Sequence, residues 1–258
     1  MTSVAGERGK LWLWPGQATY LGAPLLWDQH STPVHCLAVG VDDAFVVHSS
    51  DGSWRRRSAL IPARTRHRIE AGSGRVLFHY LDSASTRTDD VHSLMTEALG
   101  AITATHRDEA AVLDHLHDPG EARRLLLGDA SGEFVDPRIR AAMNSLLAEP
   151  ERERDASTVA AEAGLSTSRF LHLFSEQAGT SFRRFRVWAR LLRVGAAVEA
   201  GANLTTAATD AGFASASHFS DTFRRMFGLS ATALLASGAE ITTVQAHPIG
   251  RSAPAQRR

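Results

Sequence analysis

The chain has 258 residues, 28 Lys plus Arg against 28 Asp plus Glu, a formal net charge of zero and 43% hydrophobic residues. That length holds two ordinary domains with proper cores better than one large one. A single cysteine, Cys36, excludes an intramolecular disulfide framework, and no Cys/His cluster has zinc-finger spacing. No export signal is visible in the first ten residues and no run of about 18 apolar residues occurs, so a cytoplasmic protein without membrane contact is expected.

From Lys10 to Asp82 the pattern is one of short strands. Leu11–Trp14 stops at Pro15-Gly16, Cys36–Val41 alternates, and Phe45–Val47 runs into a turn at Asp51-Gly52. Ala59–Ile61 stops at Pro62, and Arg75–Tyr80 follows the turn Gly72-Ser73-Gly74. Such spacing predicts a small β-barrel or sandwich. Beyond Asp82, Val91, Leu94, Met95, Ala98 and Ile102 recur at three and four, and Ala111, Leu113 and Leu116 continue the period, which predicts amphipathic helices. Their apolar face can pack on the barrel or on a second subunit, with Leu94 and Leu113 as the candidate dimer seam. Pro119-Gly120 breaks this pattern and Glu121–Leu127 reads as another short helix.

From Pro137 to Ala236 every segment reads as helix. Pro137 behind Asp136 suits a first helical position, and Ile139, Met143, Leu146 and Leu147 form one stripe that ends at Glu149-Pro150. The expected organisation is therefore a barrel at 1–82, amphipathic helices at 83–128, a linker at 129–136, an all-α domain at 137–239 and a disordered tail at 240–258.

The all-α region contains a duplication. Val159–Ser166 leads into Ser168–Phe174 and closes at Gly179-Thr180-Ser181; about fifty residues later Ala207–Phe213 leads into Ser217–Phe223 and closes at Gly228-Leu229-Ser230. Each copy reads as a helix-turn-helix: an Ala-rich helix, a turn glycine (Gly164, Gly212), an apolar plug (Leu165, Phe213) and a serine cap (Ser166, Ser215). Phe170, Leu173 and Phe174, and Phe219, Thr222 and Phe223, fall on one face of the second helices. The opposite face carries Ser168, Leu171 and His172 in one copy and Ser217, Ser220 and Asp221 in the other, the candidate base contacts in a major groove.

A single copy would be compatible with a plain helical bundle; two copies joined by one long helix from Ser181 point to DNA. Charge agrees, for Ser166 to Ser230 holds eight Arg against four acids inside a neutral chain. Arg183, Arg184 and Arg186, clustered at the start of the joining helix, with Arg169, Arg224 and Arg225, are the candidate phosphate contacts.

The stretch from Thr158 to Ala236 resembles the DNA-binding domain of AraC/XylS transcription regulators. The resemblance is carried by Leu165-Ser166, Ser168, Phe170, Phe174, Gly179–Phe182, Arg190-Leu191, Gly212-Phe213, Ser217, Phe219, Phe223, Gly228 and Ser230. His172 and Asp221 replace frequent basic residues, and Ala231 replaces a proline, departures that bear on base preference and not on fold. The resemblance implies two recognition helices entering successive major-groove segments, about 34 Å apart, on one face of the duplex.

The β-rich part resembles the cupin-type sensor domain common in that family, giving an α+β chain overall. Ile61–His67 matches the second cupin motif, P-x-G-x-x-H, except that Arg64 stands in place of Gly; His30 and His35 lie near the first motif with the wrong spacing. Trp14, His30, His35 and His67 are the candidate effector pocket. The three histidines could hold a divalent metal only by converging, and the broken first motif favours no metal and no cofactor. The leading expectation is a sequence-specific regulator with no catalytic residues, double-stranded DNA as partner, homodimerisation, and RNA polymerase and a small-molecule effector as further candidate partners. The rival, a metal-dependent cupin enzyme fused to a DNA-binding domain, needs three aligned ligands.

Overall fold

The alternating strand segments form two facing sheets in the computed structural model, which describes residues 8–25, 29–83, 85, 87–128 and 136–244. The strands are β1 (Lys10–Trp14), β2 (Gln17–Gly22), β3 (Val34–Gly40), β4 (Phe45–Ser49), β5 (Gly52–Arg56), β6 (Ser58–Ile61), β7 (Arg68–Glu70), β8 (Val76–Asp82), β9 (Met95–Leu99), β10 (Ile102–His106) and β11 (Glu240–Thr243). The large sheet has the order β11-β1-β2-β8-β3-β6-β10-β9 and the small one β5-β4-β7. Phe45, Val47 and Ile69 of the small sheet enclose, with Cys36, Ala38, Ile61, Phe78 and Tyr80 of the large one, the interior between the sheets.

Strand β8 is buried at every position because both of its faces are covered, and it is apolar except for His79 and Asp82. Val76, Phe78 and Tyr80 point into the interior. Leu77 and Leu81 meet a layer built from α1 (Thr88–Ser93), α2 (Glu109–Asp114) and α3 (Pro119–Leu127), which supply Val91, Val112, Leu126 and Leu127. Of the candidate seam residues, Leu113 is half-buried against this layer, as the barrel-packing alternative has it, and Leu94 is buried.

Two expectations are corrected here. The stretch assigned to helix around Met95–Ile102 is a β-hairpin, β9 to β10, pairing Leu99 with Ile102 and Glu97 with Ala104. Gly100 at φ +68° closes its two-residue turn, Thr96, Thr103 and Thr105 favour strand, and β6 offers β10 a free neighbour, so a period of three and four among few apolar residues was outvoted. The segment assigned to a disordered tail begins with β11, which runs parallel to β1 from Lys10↔Glu240 to Leu13↔Thr243 and covers that sheet edge. Most of the expected linker (129–135), and the rest of the tail (245–258), lie outside the described residues.

The helices of the C-terminal region are α4 (Pro137–Ala148), α5 (Ala156–Glu162), α6 (Thr167–Ala178), α7 (Phe182–Glu199), α8 (Leu204–Asp210), α9 (Ala216–Phe227) and α10 (Ala231–Ala236). They divide between two cores. Ile139, Leu146, Val159, Phe170, Phe174, Phe182 and Phe185 pack together under α4 to α6. Phe213, Phe219, Phe223 and Phe227, with Trp188 and Leu191 of α7, belong to the same cluster as Leu11, Leu13, Phe78 and Tyr80 of the barrel.

Candidate nucleic-acid interface

The duplication seen in the sequence is a duplication of hydrogen bonds. Asp155 and Asn203 cap α5 and α8 by accepting from the amides of Thr158 (2.7 Å) and Thr206 (2.9 Å). Each of these helices ends in the same way: Gly164 N–H donates to Ala161 O and Leu165 N–H to Ala160 O, as Gly212 does to Thr209 O and Phe213 to Ala208 O. Both turn glycines have positive φ, +65° and +85°. Ser166 and Ser215 then cap the second helices by accepting from Arg169 N–H (3.3 Å) and His218 N–H (3.0 Å). Ser181 and Ser230 repeat the device at the starts of α7 and α10.

Register counted from these caps pairs Ser168 with Ser217, Leu171 with Ser220, and His172 with Asp221. Five of these six side chains are exposed and Ser220 is half-buried. Phe170 and Phe174 on α6, and Phe219, Thr222 and Phe223 on α9, are buried behind them. An outward polar face on a capped helix of 12 residues, opposite an aromatic inner face, is what a helix needs in order to enter a groove without unfolding its support. Arg169, Arg183, Arg224 and Arg225 are exposed beside these faces, and Arg186 is half-buried.

Arg184 departs from the role expected of it. Its guanidinium donates to Asp82 Oδ1 (3.2 Å), to Pro33 O (2.9 Å) and to Ser83 Oγ, so in this arrangement it is turned to the barrel and only partly exposed. Trp188, one turn further along α7 and fully buried, donates its indole N–H to Asp82 Oδ2 (3.1 Å). Asp82 has no exposed surface, and a carboxylate removed from water needs such donors on both oxygens. Asp82 and Trp188 were missed in the sequence. The signal was present as a lone carboxylate ending the apolar run Val76–Leu81 and a tryptophan in the apolar stripe of α7.

Further contacts bind the barrel to α9 and α10. Tyr80 Oη donates to Phe227 O (3.2 Å), and the His30 ring lies so close to Gly228 that a Cβ there would meet Nε2 at 2.4 Å. Gly195 of α7 is likewise closed in by Leu13, Thr243 and Ile241.

The expected effector pocket is not assembled. His30 and His67 form a bridge pair with ring centroids 4.5 Å apart, and the space they border with Cys36, Phe78 and Tyr80 is about 10 Å³, far below ligand size. Burial, above all, lowers His67 to about 4, with the nearby His30 adding to it against a bond to Thr65 O. His35 lies apart, its Nδ1 accepting from Ala63 N–H (3.3 Å), and burial lowers its pKa as well. Trp14 packs beneath Arg123 of α3 at 5.5 Å. Among the described residues no group of three or more His, Cys, Asp or Glu is placed to hold a metal. Burial pushes the Cys36 thiol up and keeps it a packing residue. Arg64, which stands where the motif has Gly, occupies the left-handed region, φ +68°, a conformation that glycine adopts without steric cost. Among the described residues no helix is long and apolar enough to cross a membrane.

A family model described as "Helix-turn-helix domain", which is of AraC type, matches residues 159–237. No curated protein matches the chain. Among solved structures it is similar to ToxT from Vibrio cholerae O395, at 12% identity over 86% of this chain and 98% of ToxT, with a TM-score of 0.48. It is also similar to the AraC-like transcriptional activator CuxR, at 11% identity over 70% of this chain and 74% of CuxR, with a TM-score of 0.29. Residues 159–237 thus carry a helix-turn-helix domain of AraC type.

Proposed function

We propose that this chain is a conditional transcription regulator of the AraC/XylS type, its DNA-binding part being held on the barrel and released or reoriented by a small-molecule effector. The observation that carries the reading is Asp82, a fully buried barrel carboxylate whose two oxygens are bound by Arg184 and Trp188 of α7. A residue placed to meet phosphate is thereby engaged by the sensor. Docking and DNA contact compete for one guanidinium, and a ligand that favours one arrangement shifts the balance. A cleft of about 340 Å³, bordered by Pro15 of the β1–β2 turn, Leu147 of α4, Leu192 and Arg193 of α7 and Val244, lies where barrel and helices meet and has the size such an effector takes.

The test is a pair of variants in the full chain. Asp82→Ala frees Arg184 and is expected to strengthen DNA binding, whereas Arg184→Ala removes both roles and is expected to leave affinity below that of Asp82→Ala. If Asp82→Ala binds DNA no better than the unaltered chain while remaining folded by circular dichroism, docking does not restrain binding. Footprinting of the same proteins checks the underlying geometry, with two protected major-groove segments expected on one face of the duplex.

A further inference from the structure

We propose that Leu171 reads the 5-methyl group of a thymine in the half of the operator served by α6, an inference that rests on α6 being a base-reading helix. Leu171 is, among the described residues, the one large hydrophobic side chain left exposed, at 37% of its surface. The other large apolar groups among the described residues are buried wholly or in part, so this residue is an exception among them. Its place is also specific. Counted from the serine caps it stands where α9 carries Ser220, on the face it shares with exposed Thr167 and Ser168 one turn earlier, with exposed His172 beside it.

A leucine has neither donor nor acceptor. Of the features that base edges display in the major groove, only the thymine methyl offers it anything, whereas the serines and His172 can address the oxygen and nitrogen atoms around it. Ser220, its counterpart, is polar and has no such preference. The two half-sites are therefore read by different chemistry, one through an apolar contact and the other through hydrogen bonds alone.

The experiment uses the full chain and duplexes selected from a random pool. In the half-site protected by α6, each thymine is replaced in turn by deoxyuridine, which removes the methyl and leaves pairing intact. At one position the unaltered protein is expected to lose about fourfold in affinity, the worth of one buried methyl. Leu171→Ala should lose a similar factor on the thymine duplex and show no further loss on the deoxyuridine duplex. Because Leu171 is exposed, its removal leaves the aromatic core of α6 intact. Thymines in the other half-site are expected to respond to deoxyuridine equally in both proteins. Equal deoxyuridine losses with and without Leu171 at every position, or a selected half-site lacking thymine, overturn the inference while the DNA reading stands. No selected sequence and no footprint at all would overturn both.

Discussion

The two helix-turn-helix units have the same caps, the same turn glycines and the same hydrogen bonds, yet they rest on different foundations. The first, α5 and α6, stands on an aromatic core of its own, in which Phe174 meets Phe170, Phe182 and Phe185 at centroid distances of 5.4, 5.6 and 5.2 Å. The second, α8 and α9, has no separate core, for Phe227 packs on Tyr80 of the barrel at 5.2 Å and on Trp188 at 5.8 Å. Local sequence therefore specifies the turn, and what each turn is attached to is decided by distant residues. The barrel is packed mainly against the second unit, while the first is tied to it by the clamp on Arg184.

The strongest way to break this comparison is to remove one ring from each foundation. Phe174→Ala and Phe227→Ala are each expected to cost about 3–5 kcal/mol. Amide hydrogen exchange distinguishes them: loss of protection stays within α4 to α7 for Phe174→Ala and spreads to β1, β8 and β11 for Phe227→Ala. A barrel that keeps its full protection in Phe227→Ala would mean that the shared core is not a cooperative unit.

This division also marks what could be read from the sequence. The repeat was legible because Gly164 and Gly212, Ser166 and Ser215, and the paired phenylalanines act within a few residues of each other. The strand segments were legible because alternation is a local property. The hairpin β9–β10 was not, since Met95, Ala98 and Ile102 satisfy a helical period, and the local strand preference of its threonines is completed only by pairing with β6, more than thirty residues away. The docking of α7 on Asp82, and of β11 on β1, joins residues about a hundred and more than two hundred positions apart, and no periodicity records such contacts.

Acid provides a second test of the asymmetry. His67, whose pKa is lowered from about 6.5 to about 4, is stabilising in its neutral form, so its contribution is complete above pH 6.5 and is lost as pH falls from there towards 4. The loss is on the order of 3 kcal/mol. His79, lowered to about 3 by burial against the Arg123 charge, acts in the same window, so the measure is the difference between the unaltered chain and His67→Gln in urea unfolding at pH 7 and pH 4.5. The first unit carries only His172, which is exposed, and acid should therefore loosen the barrel and α9 before α5 and α6. Protection lost first from α6 would contradict this.

On DNA the units should differ in sign as well as in size. His172→Ala is expected to cost about 1–3 kcal/mol on the preferred duplex and little on others. Asp221→Ala removes a carboxylate from a surface approaching phosphates. It should strengthen binding to arbitrary sequences even where it weakens the preferred site, if that carboxylate accepts from a cytosine amino group. Salt titrations separate the two effects. Arg183→Ala or Arg225→Ala should weaken all sequences alike and lower the salt slope by about 1.

The smallest effect is expected at the turn glycines, and it is informative because the two turns are otherwise alike. An alanine at Gly164 would keep φ near +65° with no atom within 4 Å of its Cβ, so its cost is that of the left-handed backbone alone, about 1 kcal/mol. At Gly212 the same substitution places Cβ 2.7 Å from Glu151 Cα, in the connection between α4 and α5. That backbone is held in turn by Arg190 of α7, whose Nε–H donates to Pro150 O at 3.2 Å, so it cannot give way without disturbing the joining helix. Gly212→Ala should therefore cost about twice as much as Gly164→Ala or more, and its excess should vanish once the 149–153 connection is free to move. Thermal unfolding of the two variants decides it: equal losses would show that the second turn does not bear on the first unit, and that the units meet only through α7 and the barrel.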